Sequence, residues 1–85
     1  MSPRIYVGGL ASATTDLRLR LLCAPYGTVK SVCVIRSKST GHAFGYGFVE
    51  MDSAEEASEV ILALNGTRLE GQRLDVFSAP ALSPS

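Results

Sequence analysis

The sequence predicts an α+β domain of β-α-β-β-α-β order, the ferredoxin-like sandwich in which two helices cover one face of a four-stranded antiparallel sheet. Three observations predict it. Four short runs rich in β-branched and aromatic residues alternate with period two. Two longer stretches carry apolar residues at helical spacing. Glycine, proline and polar clusters separate these runs in the order strand, helix, strand, strand, helix, strand. At 85 residues the chain makes one domain near the lower end of what folds without staples, and its 46% hydrophobic content supplies one modest core.

The first strand is Ile5-Tyr6-Val7, with Ile5 and Val7 on one face and Tyr6 on the other, closed by Gly8-Gly9. Thr14-Thr15-Asp16 then starts a helix, a hydroxyl capping it and a carboxylate in its first turn. That helix is expected from Asp16 to Ala24, stopped by Pro25 and Gly27, with Leu19, Leu22, Cys23 and Tyr26 as its inner stripe. Leu17 and Leu21 fall on its outer face. Val29 to Arg36 is the second strand, Val32 and Val34 on one side, Cys33 and Ile35 on the other. A polar loop, Arg36 to Ala43, carries the turn glycine Gly41.

The third strand, Phe44 to Met51, puts Phe44, Tyr46, Phe48 and Glu50 on one face and Gly45, Gly47, Val49 and Met51 on the other. Ser53 caps a second helix over residues 54–64, whose inner stripe is Ala57, Val60, Ile61 and Leu64 and whose Leu62 lies outside it. Asn65-Gly66 stops it. Arg68 to Gly71 reads as a turn and Arg73 to Ser78 as the fourth strand, Leu74 and Val76 on one side, Asp75 and Phe77 on the other. An N-terminal extension is expected over residues 1–4, the domain over 5–79 and a flexible tail over 80–85.

Two helices cover only one face of such a sheet. Turning each strand's aliphatic side toward them gives a core of Ile5, Val7, Leu19, Leu22, Val32, Val34, Val49, Ile61, Leu64, Leu74 and Val76. Tyr6, Phe44, Tyr46, Phe48 and Phe77 are left on the open face. These are five of the chain's six aromatic residues, so the open face is expected to meet a partner.

Charge argues little by itself. The formal net charge is zero, although Arg36, Lys38 and His42 cluster in one stretch and Asp52, Glu55, Glu56 and Glu59 in another. No apolar run approaches the ~20 residues that span a bilayer, and the opening residues lead straight into a strand-like run, so no secretory signal is expected. Cys23 and Cys33 lack metal-ligand spacing and read as small buried or half-buried hydrophobes in a reducing compartment. The expected setting is intracellular, cytoplasmic or nuclear, with no cofactor, no metal, no membrane and no small-molecule substrate.

Ile5-Tyr6-Val7-Gly8-Gly9-Leu10 and Phe44 to Met51 resemble the two short signatures, RNP2 and RNP1, of the RNA recognition motif family. The resemblance extends over about residues 5–79 and includes Tyr26-Gly27, Thr40-Gly41 and Ala63-Leu64-Asn65-Gly66. It implies an RNA-binding domain acting in post-transcriptional RNA processing or regulation. By position it implies base or ribose stacking at Tyr6, Tyr46 and Phe48. The resemblance also places Gly45 and Gly47 against the helices, small so that the layers approach closely. Three positions depart from the pattern: Phe44 stands where a phosphate-pairing Lys or Arg is usual, Gly9 where Asn is frequent, and Asp75 lies on the open face. Stacking is therefore expected to outweigh charge, with Phe44, Phe77, Arg36, Lys38, His42, Arg4 and Arg73 as auxiliary contacts.

The expected ligand is single-stranded RNA, with single-stranded DNA as the alternative nucleic acid. A second class is a protein-interaction module that docks or self-associates through Leu17, Leu21 and Leu62. Leu17 and Leu21 stand i, i+4, on one small patch. The acylphosphatases share the strand and helix order, but Leu10-Ala11-Ser12-Ala13 lacks their anion loop and arginine, and no catalytic constellation is evident. The chain is not expected to be an enzyme.

Overall fold

The computed structural model describes residues 3–37, 39–41 and 43–79, leaving the Ala43 side chain aside. Strands β1 (Arg4–Gly8), β2 (Val29–Arg36), β3 (Ala43–Met51) and β6 (Asp75–Ala79) form one antiparallel sheet in the order β2-β3-β1-β6. Helices α1 (Asp16–Cys23) and α2 (Ala54–Leu64) follow β1 and β3. Two further short strands, β4 (Arg68–Leu69) and β5 (Gln72–Arg73), pair in a hairpin of their own.

Both helices start as the sequence dictates. The Thr15 hydroxyl accepts from the Arg18 N–H at 3.1 Å, and the Ser53 hydroxyl accepts from the Glu56 N–H at 3.2 Å. Ser53 also donates to Glu56 Oε1 at 3.1 Å, so that the two residues hold each other across the first turn of α2. The same acidic residues tie helices to strands. Asp16 Oδ1 accepts from the Val34 N–H at 2.9 Å, and Glu56 Oε2 from the Thr28 N–H at 2.8 Å. At the far end of α2, Asn65 Oδ1 accepts from the Val76 N–H at 3.1 Å, fixing where β6 leaves the hairpin.

The core lies between helices and sheet. Ile5, Val7, Leu19, Cys23, Val49, Met51, Val60 and Leu74 are fully enclosed, with Val34, Leu64 and Val76 nearly so. Leu22, Val32 and Ile61, expected in this core, are half-buried at its margin. Leu10, from the connection after β1, and Leu69, from the small hairpin, also join it, where no periodicity marked them.

Several expectations need correction. The α-helix ends at Cys23 and Ala24–Tyr26 winds on as a 3-10 turn led by Pro25, so Tyr26 swings out of the inner stripe and is exposed. Cys33 is also exposed, because it stands opposite Phe48 on the face away from the helices. The fourth sheet strand begins at Asp75. Arg73 belongs to the small hairpin, whose turn residues Glu70 and Gly71 both have positive φ, 52° and 81°.

The glycines of β3 serve purposes other than layer approach. Gly45 has φ of +92°, beside a register shift between β2 and β3. A Cβ on Gly47 would stand 2.7 Å from the Cys33 carbonyl oxygen, so this residue makes room for the neighbouring strand's backbone.

Candidate nucleic-acid interface

The pairing registers lay out the open face as rows that cross the strands. One row runs Cys33, Phe48, Tyr6, Phe77. On one side of it lies the row Ser31, Glu50, Arg4, Ala79, and on the other Tyr46, Gly8, Asp75. Alternation explains this directly: each residue is two from its same-face neighbour along the chain and opposite its partner across it.

Four rings make a continuous cluster. Tyr6 stacks on Phe77 with centroids 4.5 Å apart and planes 25° from parallel, and on Tyr46 at 5.8 Å and 24°. Phe48 meets Tyr6 and Tyr46 edge-on at 5.9 and 6.1 Å. Tyr6, Tyr46 and Phe48 are half-buried and Phe77 is 53% exposed. Gly8 belongs to the same arrangement, since a Cβ there would lie 2.6 Å from the Tyr6 hydroxyl oxygen and 2.8 Å from a ring carbon. The phenol ring therefore lies along β1 over a position that has no side chain. The residue types of RNP2 gave no sign of that role.

Phe44 stands apart. It is 62% exposed and, among the described residues, makes no ring contact with the cluster. Its neighbour Gly45 has positive φ and lies at the register shift between β2 and β3.

The basic candidates separate as well. Arg4 places its guanidinium carbon 5.9 Å from the Phe48 ring centroid, at the edge of the field. Arg36 is half-buried, and its two terminal nitrogens donate to the Thr14 and Gly41 carbonyls, which fasten the β2–β3 loop to the approach to α1. Arg73 reaches toward the end of α2, where one of its terminal nitrogens would be 3.8 Å from a Cβ on Gly66. Lys38 and His42 lie outside the described residues.

Leu17, Leu21 and Leu62 are exposed on the helices, at 64%, 58% and 82%. The pKa that clearly moves among the described residues belongs to Cys23 in the core, where burial pushes the thiol up to about 11. It is remote from the rings and stays protonated at neutral pH.

The family model described as the RNA recognition motif matches residues 5–75. The chain belongs to the RNA recognition motif family. Among its relatives, the chloroplastic RNA-binding protein CP29B of Arabidopsis thaliana is 36% identical over 81 residues, covering 95% of this chain and 28% of the relative. The single-stranded-interacting RNA-binding motif protein 2 of Mus musculus is 40% identical over 68 residues, 80% of this chain and 18% of the relative. This chain thus spans less than a third of those curated relatives.

Among solved structures of the motif, the crystal structure of RNA binding protein PG1 superposes with a TM-score of 0.89 at 37% identity, covering 93% of this chain and 95% of that one. An Sxl-lethal protein–RNA complex gives 0.84 at 37% identity, over 89% and 47%. The βαββαβ architecture is thus that of the RNA recognition motif, with the small β4–β5 hairpin inserted before the last sheet strand.

Proposed function

We propose that this chain is a single-stranded RNA-binding module that takes bases onto Tyr6, Tyr46 and Phe48, with Phe77 supporting Tyr6 from the side. The observation that carries the reading is the four-ring cluster on the sheet face that the helices leave uncovered. The names of its relatives, an RNA-binding protein and a single-stranded-interacting one, agree with it. The role is binding, without catalysis, within RNA processing or regulation.

Stacking on an aromatic contributes roughly 1–3 kcal/mol per base. Three platforms supply about 3–9 kcal/mol before the strand's ordering cost, which corresponds to about micromolar affinity for a strand of roughly 3–5 nucleotides. With Arg36 held by carbonyls and the net charge at zero, two or three phosphates are neutralised, and the salt slope is about −1.4 to −2.1. RNA is favoured over DNA to the extent that the 2′-hydroxyl is contacted, which a matched pair of strands measures.

The test is an NMR titration with a degenerate pool of short RNAs. Amide shifts centred on Tyr6, Tyr46 and Phe48 are expected, and a saturating titration that leaves those three residues unmoved refutes the reading. Exposure of Leu17 and Leu21, one helical turn apart, favours a second activity, docking of a protein or of another copy of the chain on α1. Shifts there that follow protein concentration and ignore RNA are its signature.

A further inference from the structure

We propose that Glu50 reads the edge of the base stacked on Phe48 and selects guanine there, an inference that rests on the stacking reading above. A carboxylate on a face that receives a polyanion is a poor choice for attraction, so its value lies in what it accepts. Ionised, it is acceptor-only, with two oxygens able to take two parallel N–H donors. Guanine presents two adjacent donors, N1–H and N2–H, on its Watson–Crick edge. Adenine and cytosine each present one amino group beside an acceptor. Uracil presents N3–H between two carbonyl oxygens, which a carboxylate repels.

The geometry suits this use. Glu50 is two residues from Phe48 on the same face of β3, a separation of about 7 Å, within reach of the rim of a base lying on the ring. It is half-buried, and the Ser31 hydroxyl donates to its Oε1 at 3.2 Å across the β2–β3 pair, fixing the carboxylate and leaving Oε2 and the remaining lone pairs of Oε1 for a ligand. Arg4 lies directly opposite Glu50 on β1, with its guanidinium 5.9 Å from the centre of Phe48. A donor-only group and an acceptor-only group therefore stand side by side beside one platform. Guanine fits both, its O6 facing the guanidinium and its N1–H and N2–H the carboxylate. Asp75, the other carboxylate of the open face, is exposed and has no hydrogen bond or ion pair among the described residues, so nothing holds it in one orientation. Glu50 is the oriented one.

The test is an NMR titration of the 85-residue chain with three pentamers: five uridines, the same strand with a central guanosine, and the same strand with a central inosine, which lacks the N2 amino group. The guanosine strand is expected to bind about tenfold more tightly than the uridine strand, with inosine between them. In Glu50→Gln the guanosine advantage falls to about twofold or less, while the uridine strand binds at least as well as before. Ser31→Ala, which only frees the carboxylate, lowers the advantage partway. Equal affinity for guanosine and uridine strands, or an unchanged ratio in Glu50→Gln, overturns the proposal. Phe48→Ala separates its failure from that of the stacking reading. If that variant weakens the uridine strand while Glu50→Gln leaves the ratio alone, stacking stands and guanine reading falls. If Phe48→Ala weakens neither strand, both fall.

Discussion

The two faces of β3 are made by one stretch of chain and do opposite things. Toward the helices, Val49 and Met51 lose all contact with solvent, and their side chains are held by neighbours on α1, α2 and the adjoining strands. Away from them, Tyr46 and Phe48 remain half open and are held chiefly by other rings. The first face contributes stability and, in the stacking proposal, meets no base. The second contributes little to stability and is available to a flat partner. Alternation with period two from Tyr46 to Met51 lets one strand make both surfaces without a dedicated binding element.

That division can be broken most sharply from the core side. Ile5→Ala, at a fully enclosed site, is expected to cost about 3 kcal/mol of folding stability by urea denaturation. The protein that remains folded should bind RNA as before. A large affinity loss in folded Ile5→Ala protein means that the faces are coupled.

The reverse experiment removes two rings. Tyr46→Ala with Phe48→Ala is expected to lower RNA affinity about a hundredfold by titration, from two stacking contributions of 1–3 kcal/mol each. Stability should fall by only about 1–2 kcal/mol, the scale of ring pairs at a half-open site. Unchanged affinity in the folded double variant refutes stacking on these rings.

Smaller still is Gly8→Ala. The added Cβ displaces the Tyr6 ring, which lies within 3 Å of that position, and affinity should drop by about threefold to fivefold. In a Tyr6→Ala background the same change should have no effect on affinity, since the ring it moves is gone. An equal drop in both backgrounds locates the effect in the backbone instead of the ring.

The last effect belongs to the core and appears only at high pH. Burial raises the Cys23 thiol from 9.0 to about 11, so below pH 9 both folded and unfolded chains keep the proton. Between pH 9 and 11 the unfolded chain releases it and the folded chain does not, and stability therefore falls as pH rises through that window. Cys23→Ala should show a flatter decline of urea midpoint across the same range. Identical slopes in the two proteins would mean that the thiol is less enclosed than it stands here.

Much of this division was legible from sequence because it depends on alternation alone. Ile5 and Val7 against Tyr6, and Val49 and Met51 against Tyr46 and Phe48, needed no knowledge of the neighbours. Both helix starts were legible for the same reason, each set by a hydroxyl residue acting within one turn. What escaped depends on contacts between segments distant in the chain. Arg36 read as a free cation in a loop, yet Thr14, 22 residues away, supplies the carbonyl that engages it. Leu10 and Leu69 read as loop residues because nothing periodic surrounds them, and they are buried by elements that close over them. Cys33 read as a small hydrophobe until its partner across the sheet was known to be Phe48. Phe44 lacks a ring contact with the cluster, and the positive φ of its neighbour Gly45 is not visible in residue types alone.

The stacked pair Tyr6 and Phe77 carries a consequence for rates. These rings hold each other at 4.5 Å without a ligand, so in the stacking proposal less rotamer freedom is left to lose on binding. In the stacking proposal, association then waits only on an arriving strand finding its orientation, and it proceeds at similar speed for good and poor sequences. Discrimination between them is a matter of how long each one stays.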